Sequence, residues 1–210
     1  MRIISFYTEN YKDIGEINAH RWETYCQRYG YEWTCPTPIS VDIHPYWQKI
    51  HYISWALQSD TDIVVWTDID IVVRDMEFDI SDIGYLSNRF ILVSSDQWGL
   101  CAGFMFIRNT AWSKSFFSNM LFLGDMDEQL QKKKYTRLLR DQNTIRYLCE
   151  GFPSVQKNIY LIDEGIISCP ETVEAKAPMH HFWANGGNAR RQKMISELAG
   201  ARRQKMIGTV

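Results

Sequence analysis

No apolar run in this chain approaches the roughly 20 residues that a membrane-spanning helix needs. Its start, Met1-Arg2-Ile3-Ile4-Ser5-Phe6, turns polar too soon for a secretion signal. Paired cysteines are missing too. The five, Cys26, Cys35, Cys101, Cys149 and Cys169, are odd in number and scattered, with no C-x-x-C among them. That excludes a zinc knuckle or a dithiol redox motif and points to a reducing compartment, so a cytoplasmic location is expected. An excess of one charge is also lacking. With 23 basic and 25 acidic residues the net charge is −2, which argues against an electrostatic nucleic-acid partner.

What is present fits one domain, or one domain with a tail: 210 residues with an ordinary apolar share of 45%. Eight tryptophans and eleven tyrosines are enough to line a sugar or base pocket, although most belong in a core.

The densest chemical signal is residues 62–73, Asp-Ile-Val-Val-Trp-Thr-Asp-Ile-Asp-Ile-Val-Val. Ile63 to Trp66 reads as a buried strand and Ile71 to Val73 as a second. In extended chain Asp68 and Asp70 point the same way and Ile69 points back to the core. Carboxylates that close repel unless a cation lies between them. A hard divalent ion, Mn²⁺ or Mg²⁺, suits such oxygen ligands and commonly also holds substrate phosphates. The plain alternative is a solvated turn, which the apolar flanks disfavour.

The other elements alternate around this stretch. Arg2 to Tyr7 reads as a strand running into Thr8-Glu9-Asn10-Tyr11. Ligands of open α/β sheets sit beyond the carboxyl ends of strands, so Thr8 and Tyr11 are candidates to contact a nucleotide base, or else residues of an ordinary loop. Asp13 to Tyr29 has helical spacing at Ile14, Ile17, Tyr25 and Tyr29, and Gly30 ends it. Tyr31 to Thr34 suits a second strand, followed by a loop broken by Pro36, Pro38 and Pro45. A helix over 46–57 buries Tyr46, Ile50, Ile53 and Leu57. Lys49 lies off that stripe, either solvated or reaching for a phosphate. Phe90 to Ser94 reads as a strand. In Trp98 to Asn109 the small residues 101–103 lead into another strand, and a helix is expected over 112–123. Gly103 would let a ligand approach the backbone, or mark a bulge. Residues 125–140, with Lys132-Lys133-Lys134, suit a mobile loop or a solvated helix face. Asp141-Gln142-Asn143-Thr144 opens a short helix, with Asp141 as a plain N-cap or a functional acid. Ile159 to Ile162 and Ile166-Ile167 suit short strands. Of the adjacent His180 and His181, one at most can face a given site. The tail carries Ala-Arg-Arg-Gln-Lys-Met-Ile twice, at 189–195 and 201–207, and reads as a basic, helical linker or arm over 188–210.

Taken together, Tyr46-Trp47-Gln48-Lys49-Ile50, Trp66-Thr67-Asp68-Ile69-Asp70, Gly103 to Asn109 with Trp112-Ser113, Asp141-Gln142 and His181-Phe182 resemble glycosyltransferase family 34. That family includes yeast galactosyl- and mannosyltransferases and plant xyloglucan xylosyltransferases. The resemblance spans residues 1–187, and the short, anchorless form is similar to a small glycosyltransferase domain encoded by chlorella viruses. It implies an α/β GT-A fold, a Rossmann-like, mostly parallel mixed sheet flanked by helices, as one catalytic domain over 1–187. It implies a nucleotide-sugar donor, most simply a UDP-sugar, a glycan or glycoprotein acceptor, and Mn²⁺ or Mg²⁺. By motif, Asp68, Asp70 and His181 match the metal ligands, with Asp68 also near the ribose. Lys49 matches the lysine of W-x-K, and Asp141 and Gln142 match an acidic-Gln pair near donor sugar and acceptor. Where the family has Asn-x-Gly this chain has Cys101-Ala102-Gly103, so the donor-sugar contacts are not carried over. Its Golgi location is not carried over either; a viral chain would work in the host cytoplasm, and further domains of a longer chain are a candidate partner. The resemblance implies a retaining reaction, while an inverting one would need Asp141 as general base. A metal-dependent phosphoesterase and a non-catalytic sugar-binding domain are the competing readings.

Overall fold

A computed structural model of the chain describes residues 1–36, 43–96, 99–132, 140–168, 177–182 and 192–198. Six strands form the main sheet: β1 (Arg2–Ile4), β2 (Glu32–Thr34), β3 (Ile63–Thr67), β5 (Ile91–Asp96), β6 (Gly99–Arg108) and β7 (Ile159–Ile162), in the order β2-β1-β3-β6-β5-β7. Only β6 runs against the others. A small sheet, β4 (Ile71–Val73), β9 (Met179–His181) and β8 (Ile167–Ser168), lies in the order β4-β9-β8. The helices are α1 (Lys12–Tyr29), α2 (Pro45–Ala56), α3 (Ala111–Lys132), α4 (Asp141–Gly151), α5 (Pro153–Gln156) and a short α6 over 192–198.

Strands buried on both faces read as continuous apolar runs, and β3 is the clearest, Ile-Val-Val-Trp-Thr. Alternate side chains feed two cores. Ile4, Val64, Trp66, Met105 and Ile107 meet Ile50 and Ile53 of α2, Phe117 and Met120 of α3 and Ile145 of α4. Ile3, Val65, Phe104, Phe106 and Leu92 meet Trp22 and Tyr25 of α1 and the small sheet's Ile71, Val73, Ile167 and Met179. A third cluster joins Ile14, Val72 and Phe182 to Met194 and Leu198 of α6. Arg74 adds two contacts to Glu197, at 2.6 and 2.9 Å.

Several boundaries differ from those expected. Gly30 ends α1 as expected, in the left-handed region at φ 69° where only the absence of a Cβ avoids strain. Helix α3 continues to Lys132, because Phe116, Phe117 and Met120 give it a buried face over its first turns and Asp127 is buried further along. Residues 133–139, with Lys133 and Lys134, lie outside the described residues, as do Pro38, Trp98, Cys169, residues 183–191 and 199–210, and hence most of the repeated tail. The small residues 101–103 do not lead into β6 but lie within it. A register shift between Val93 and Ser95 accommodates them. Tyr46 is half-buried rather than part of the α2 core stripe.

Helix α1 does more than cover the sheet. Asn18 Nδ2 donates to the carbonyls of Ile69 (2.6 Å) and Ile71 (2.7 Å), and Trp22 Nε1 donates to Ile71 O at 2.9 Å. Arg21 Nε donates to Val73 O at 2.5 Å. Residues 18, 21 and 22 lie on one helix face by their spacing, and that face grips the backbone on either side of Asp70. Asn18→Ala leaves two buried carbonyls without this donor. It is expected to lower the unfolding free energy in urea by about 1–3 kcal/mol.

Candidate active site

Asp68 follows the last residue of β3. Its N–H donates to Gly103 O at 2.7 Å, and Ile71 N–H donates to Asp68 O at 2.9 Å. The four residues 68–71 therefore form a turn, not the extended segment expected. The turn is buried, because Ile69 and Ile71 have apolar places to go on either side of it. It brings the two carboxylates together by a different geometry from strand alternation.

The third group arrives through sheet pairing. Strand β9 runs antiparallel to β4, with Ile71 opposite His181, and Phe182 N–H donates to Asp70 O at 2.9 Å. His181 Nε2 thus lies 3.3 Å from Asp70 Oδ1. One ligand atom each from Asp68, Asp70 and His181 falls within 4.8 Å of the others. His180 points away, its ring centroid 4.1 Å from that of Phe182, and burial pushes its pKa down to about 4, so it stays neutral. The adjacent histidines divide as strand alternation requires.

Lys49 is not solvated. It is 5% exposed, and its Nζ contacts Asp68 Oδ1 at 2.9 Å, Asp141 Oδ2 at 2.9 Å and Ala102 O at 3.0 Å. Burial alone would drive its pKa down, but the Asp141 and Asp68 carboxylates more than reverse this and hold it charged. Asp68 also accepts from Trp66 Nε1 at 2.7 Å. Burial pushes the Asp68 pKa up to about 6; Lys49 pulls it down and Asp70 pushes it up. Burial opposes charge on His181, yet Asp70 and then Cys101 outweigh it and hold the imidazole well above its ordinary value.

Asp141 is not the cap residue of α4. Arg140 takes the cap position and Asp141 the first turn, where a negative charge is favoured by the helix dipole. Its carboxylate is spent on Lys49 inside the protein, at 2% exposure. Gln142 Oε1 accepts from Ala102 N–H at 3.0 Å. Thr8 and Tyr11 stand past the end of β1. All of these, with Lys49, Asp68, Asp70, Gly103 and His181, line one cleft of about 490 Å³.

Sequence reading missed several residues of this cleft. Arg146 is one turn beyond Gln142 and donates twice to Leu100 O, at 3.0 and 2.5 Å, with buried Asp96 at 3.8 Å. The i, i+4 spacing from Gln142 was the available signal. Arg140 lies over the Tyr46 ring, 5.0 Å from its centroid, at the cleft wall. Nothing in the local sequence indicates that pair, because residues 46 and 140 meet only in the fold.

Two carboxylate oxygens and one imidazole nitrogen, converging at the open end of β3, form a donor set that suits a divalent ion such as Mn²⁺, which accepts both oxygen and nitrogen ligands. Among the described residues no helix is long and apolar enough to cross a membrane.

No family model and no curated protein matches the sequence. Solved structures do match. A glycosyltransferase involved in the glycosylation of the major capsid of PBCV-1 aligns with a TM-score of 0.64 at 16% identity, covering 93% of this chain and 98% of that one. The galactosyltransferase LgtC, solved with donor and acceptor sugar analogs, aligns at 0.60 with 15% identity, covering 96% of each chain. Mouse xyloside xylosyltransferase 1 aligns at 0.53 with 11% identity, covering 89% and 98%. At these identities the likeness establishes the fold, which is GT-A, with the mostly parallel mixed sheet expected.

Two outcomes follow from the electrostatics. Lys49→Met strands Asp68 and Asp141 in the interior, and metal-free unfolding in urea should show a loss of about 3–5 kcal/mol. Ion binding requires Asp68 deprotonated and His181 neutral. Both groups have raised pKa values, so protons compete with the ion as pH falls. Mn²⁺ affinity, followed by electron paramagnetic resonance, should rise with pH and weaken as pH falls through about 6.

Proposed function

We propose that the chain is a metal-dependent glycosyltransferase that moves a sugar from a nucleotide-sugar, most simply a UDP-sugar, to a hydroxyl of a glycan or glycoprotein. The observation that carries this reading is the convergence of Asp68, Asp70 and His181 at the mouth of a cleft in a GT-A fold. The structural neighbours support it: a glycosyltransferase involved in the glycosylation of a viral major capsid, a galactosyltransferase with donor and acceptor sugar analogs, and a xyloside xylosyltransferase.

In this reading Asp68, Asp70 and His181 hold the ion. When bound, the ion supplies positive charge against the negative charge that develops on the departing diphosphate. The remaining work belongs to the chain's own residues. Lys49 fixes the Asp68 and Asp141 carboxylates relative to each other through contacts of 2.9 Å. Gln142, tied to the β6 backbone, and Asp141 face the donor sugar and acceptor from the start of α4. Thr8 and Tyr11 flank the nucleotide base. The aromatic wall of Phe6, Tyr7 and Tyr46 excludes water from one side of the cleft.

The acceptor proton has two routes: to the leaving diphosphate on the same face, giving retention, or to a carboxylate base on the opposite face, giving inversion. Asp141 is already engaged by Lys49, which favours the first. A phosphoesterase generally uses a second metal with its own ligands. Among the described residues one three-ligand cluster is found, which favours the transferase.

The test is nucleotide release from a panel of UDP- and GDP-sugars with Mn²⁺, Mg²⁺ or chelator, each with a mixture of candidate acceptor glycans. One donor should turn over with metal, stop with chelator, and fall by about 100-fold or more in Asp70→Ala. If no donor turns over and none binds in the presence of Mn²⁺, the reading fails in favour of a non-catalytic binding domain.

A further inference from the structure

The His181 ring is held from the side opposite Asp70, and the group that holds it is a thiol. Cys101 Sγ lies 3.5 Å from His181 Nδ1, while Nε2 of the same ring faces Asp70 Oδ1 at 3.3 Å. The ring is thus gripped at both nitrogens. Cys101 is buried, and so is His181.

Strand β6 shapes the socket. Cys101 and Gly103 are two residues apart and so share a face of the strand. A Cβ on Gly103 would lie 2.3 Å from His181 Cε1, nearer than any real contact allows. The ring therefore packs against Gly103 through its Cε1 corner, with Nδ1 beside the Cys101 sulfur. The space that the missing side chain leaves is filled by the imidazole. Strand β9 fixes the backbone of His181, but not the rotation of its ring. Cys101 and Gly103 supply that restraint.

The chemistry sets the direction of the hydrogen bond. If Nε2 gives its lone pair to an ion, the remaining ring proton is on Nδ1 and must face an acceptor. Ligating histidines commonly place that proton on a carboxylate or a backbone carbonyl. Here the facing atom is a thiol sulfur, a weak acceptor and a bulky one. Carboxylate in that place would add a fourth negative charge to a site that already has Asp68, Asp70 and Asp141.

We infer that Cys101 is a positioning residue for the metal centre, accepting a hydrogen bond from His181 Nδ1 so that Nε2 is presented to the ion. This rests on the reading of Asp68, Asp70 and His181 as metal ligands, and it assigns a purpose to a residue that departs from the Asn-x-Gly pattern. Cys101 touches neither ion nor substrate in this role.

The experiment compares wild type with C101S, which keeps an acceptor, and C101V, which fills similar space without one. Two quantities are read in each: the exchange-protected Nδ1–H resonance of His181 in side-chain proton–nitrogen spectra of the metal-free protein, and the Mn²⁺ dissociation constant by electron paramagnetic resonance. Wild type and C101S should show the resonance. C101V should lose it while keeping its melting temperature, and should bind Mn²⁺ about 10- to 100-fold more weakly, with C101S recovering most of the affinity. A C101V protein that retains the resonance, or binds Mn²⁺ as wild type does, overturns the inference. If the valine unfolds the chain, C101A removes the acceptor without a branch and is read in the same two ways. If wild type itself does not bind Mn²⁺, the metal reading fails separately, and the resonance still decides whether Cys101 holds the ring.

Discussion

Three carboxylates, Asp68, Asp70 and Asp141, are brought close together at one end of a buried strand, and the site depends on keeping them there. Uncompensated, they would repel one another and draw protons. Two cations answer them from opposite sides. Lys49 stands between Asp68 and Asp141, and His181 stands against Asp70. The two differ in kind. The lysine is a permanent part of the interior, closed off on a backbone carbonyl. The imidazole proton toward Asp70 is exchangeable and can give way to a divalent ion that makes the same electrostatic correction. On the proposed function, the metal-free and metal-bound sites would share one backbone arrangement, because in each a positive charge faces Asp70.

The geometry is held by backbone contacts rather than by the charged groups themselves. Asn18, Arg21 and Trp22 grip the carbonyls of residues 69, 71, 73 and 74, and β9 closes the other edge of β4. Such a frame lets ligands sit in place before anything binds, which lowers the ordering that binding would otherwise require.

Much of the fold was legible because its central strand β3 is buried along nearly its whole length and reads as a continuous apolar run, while Gly30 marks its turn unambiguously. Asp68, Asp70 and His181 were legible as a set through family resemblance, and the limit of one site-facing histidine from the 180–181 pair through strand alternation. The rest was hidden for identifiable reasons. Lys49 was read as solvated or reaching for a phosphate, and its pairing with Asp68 and Asp141 was not visible, because partners distant in sequence leave no local trace. Asp68 and Asp70 were placed in extended chain, yet a turn brings them together just as well, so the right proximity came from the wrong conformation. Asn18 was passed over as a polar residue on a helix, although its carbonyl-facing amide is what the turn leans on. Gly103 was read as room for a ligand or as the mark of a bulge, and the ring of His181 packs against it.

The antiparallel pairing of β4 with β9 also has a consequence in time. The two carboxylates of the turn leave the ribosome early, whereas His181 follows only after nearly all of the remaining sheet has been made. Closing so long a loop is entropically slow, and contacts of high sequence separation form late in folding. The central sheet can therefore assemble around a turn that has not yet met His181. A nascent chain in that condition has two closely spaced carboxylates and no imidazole, so the three groups come together only after the turn itself has formed.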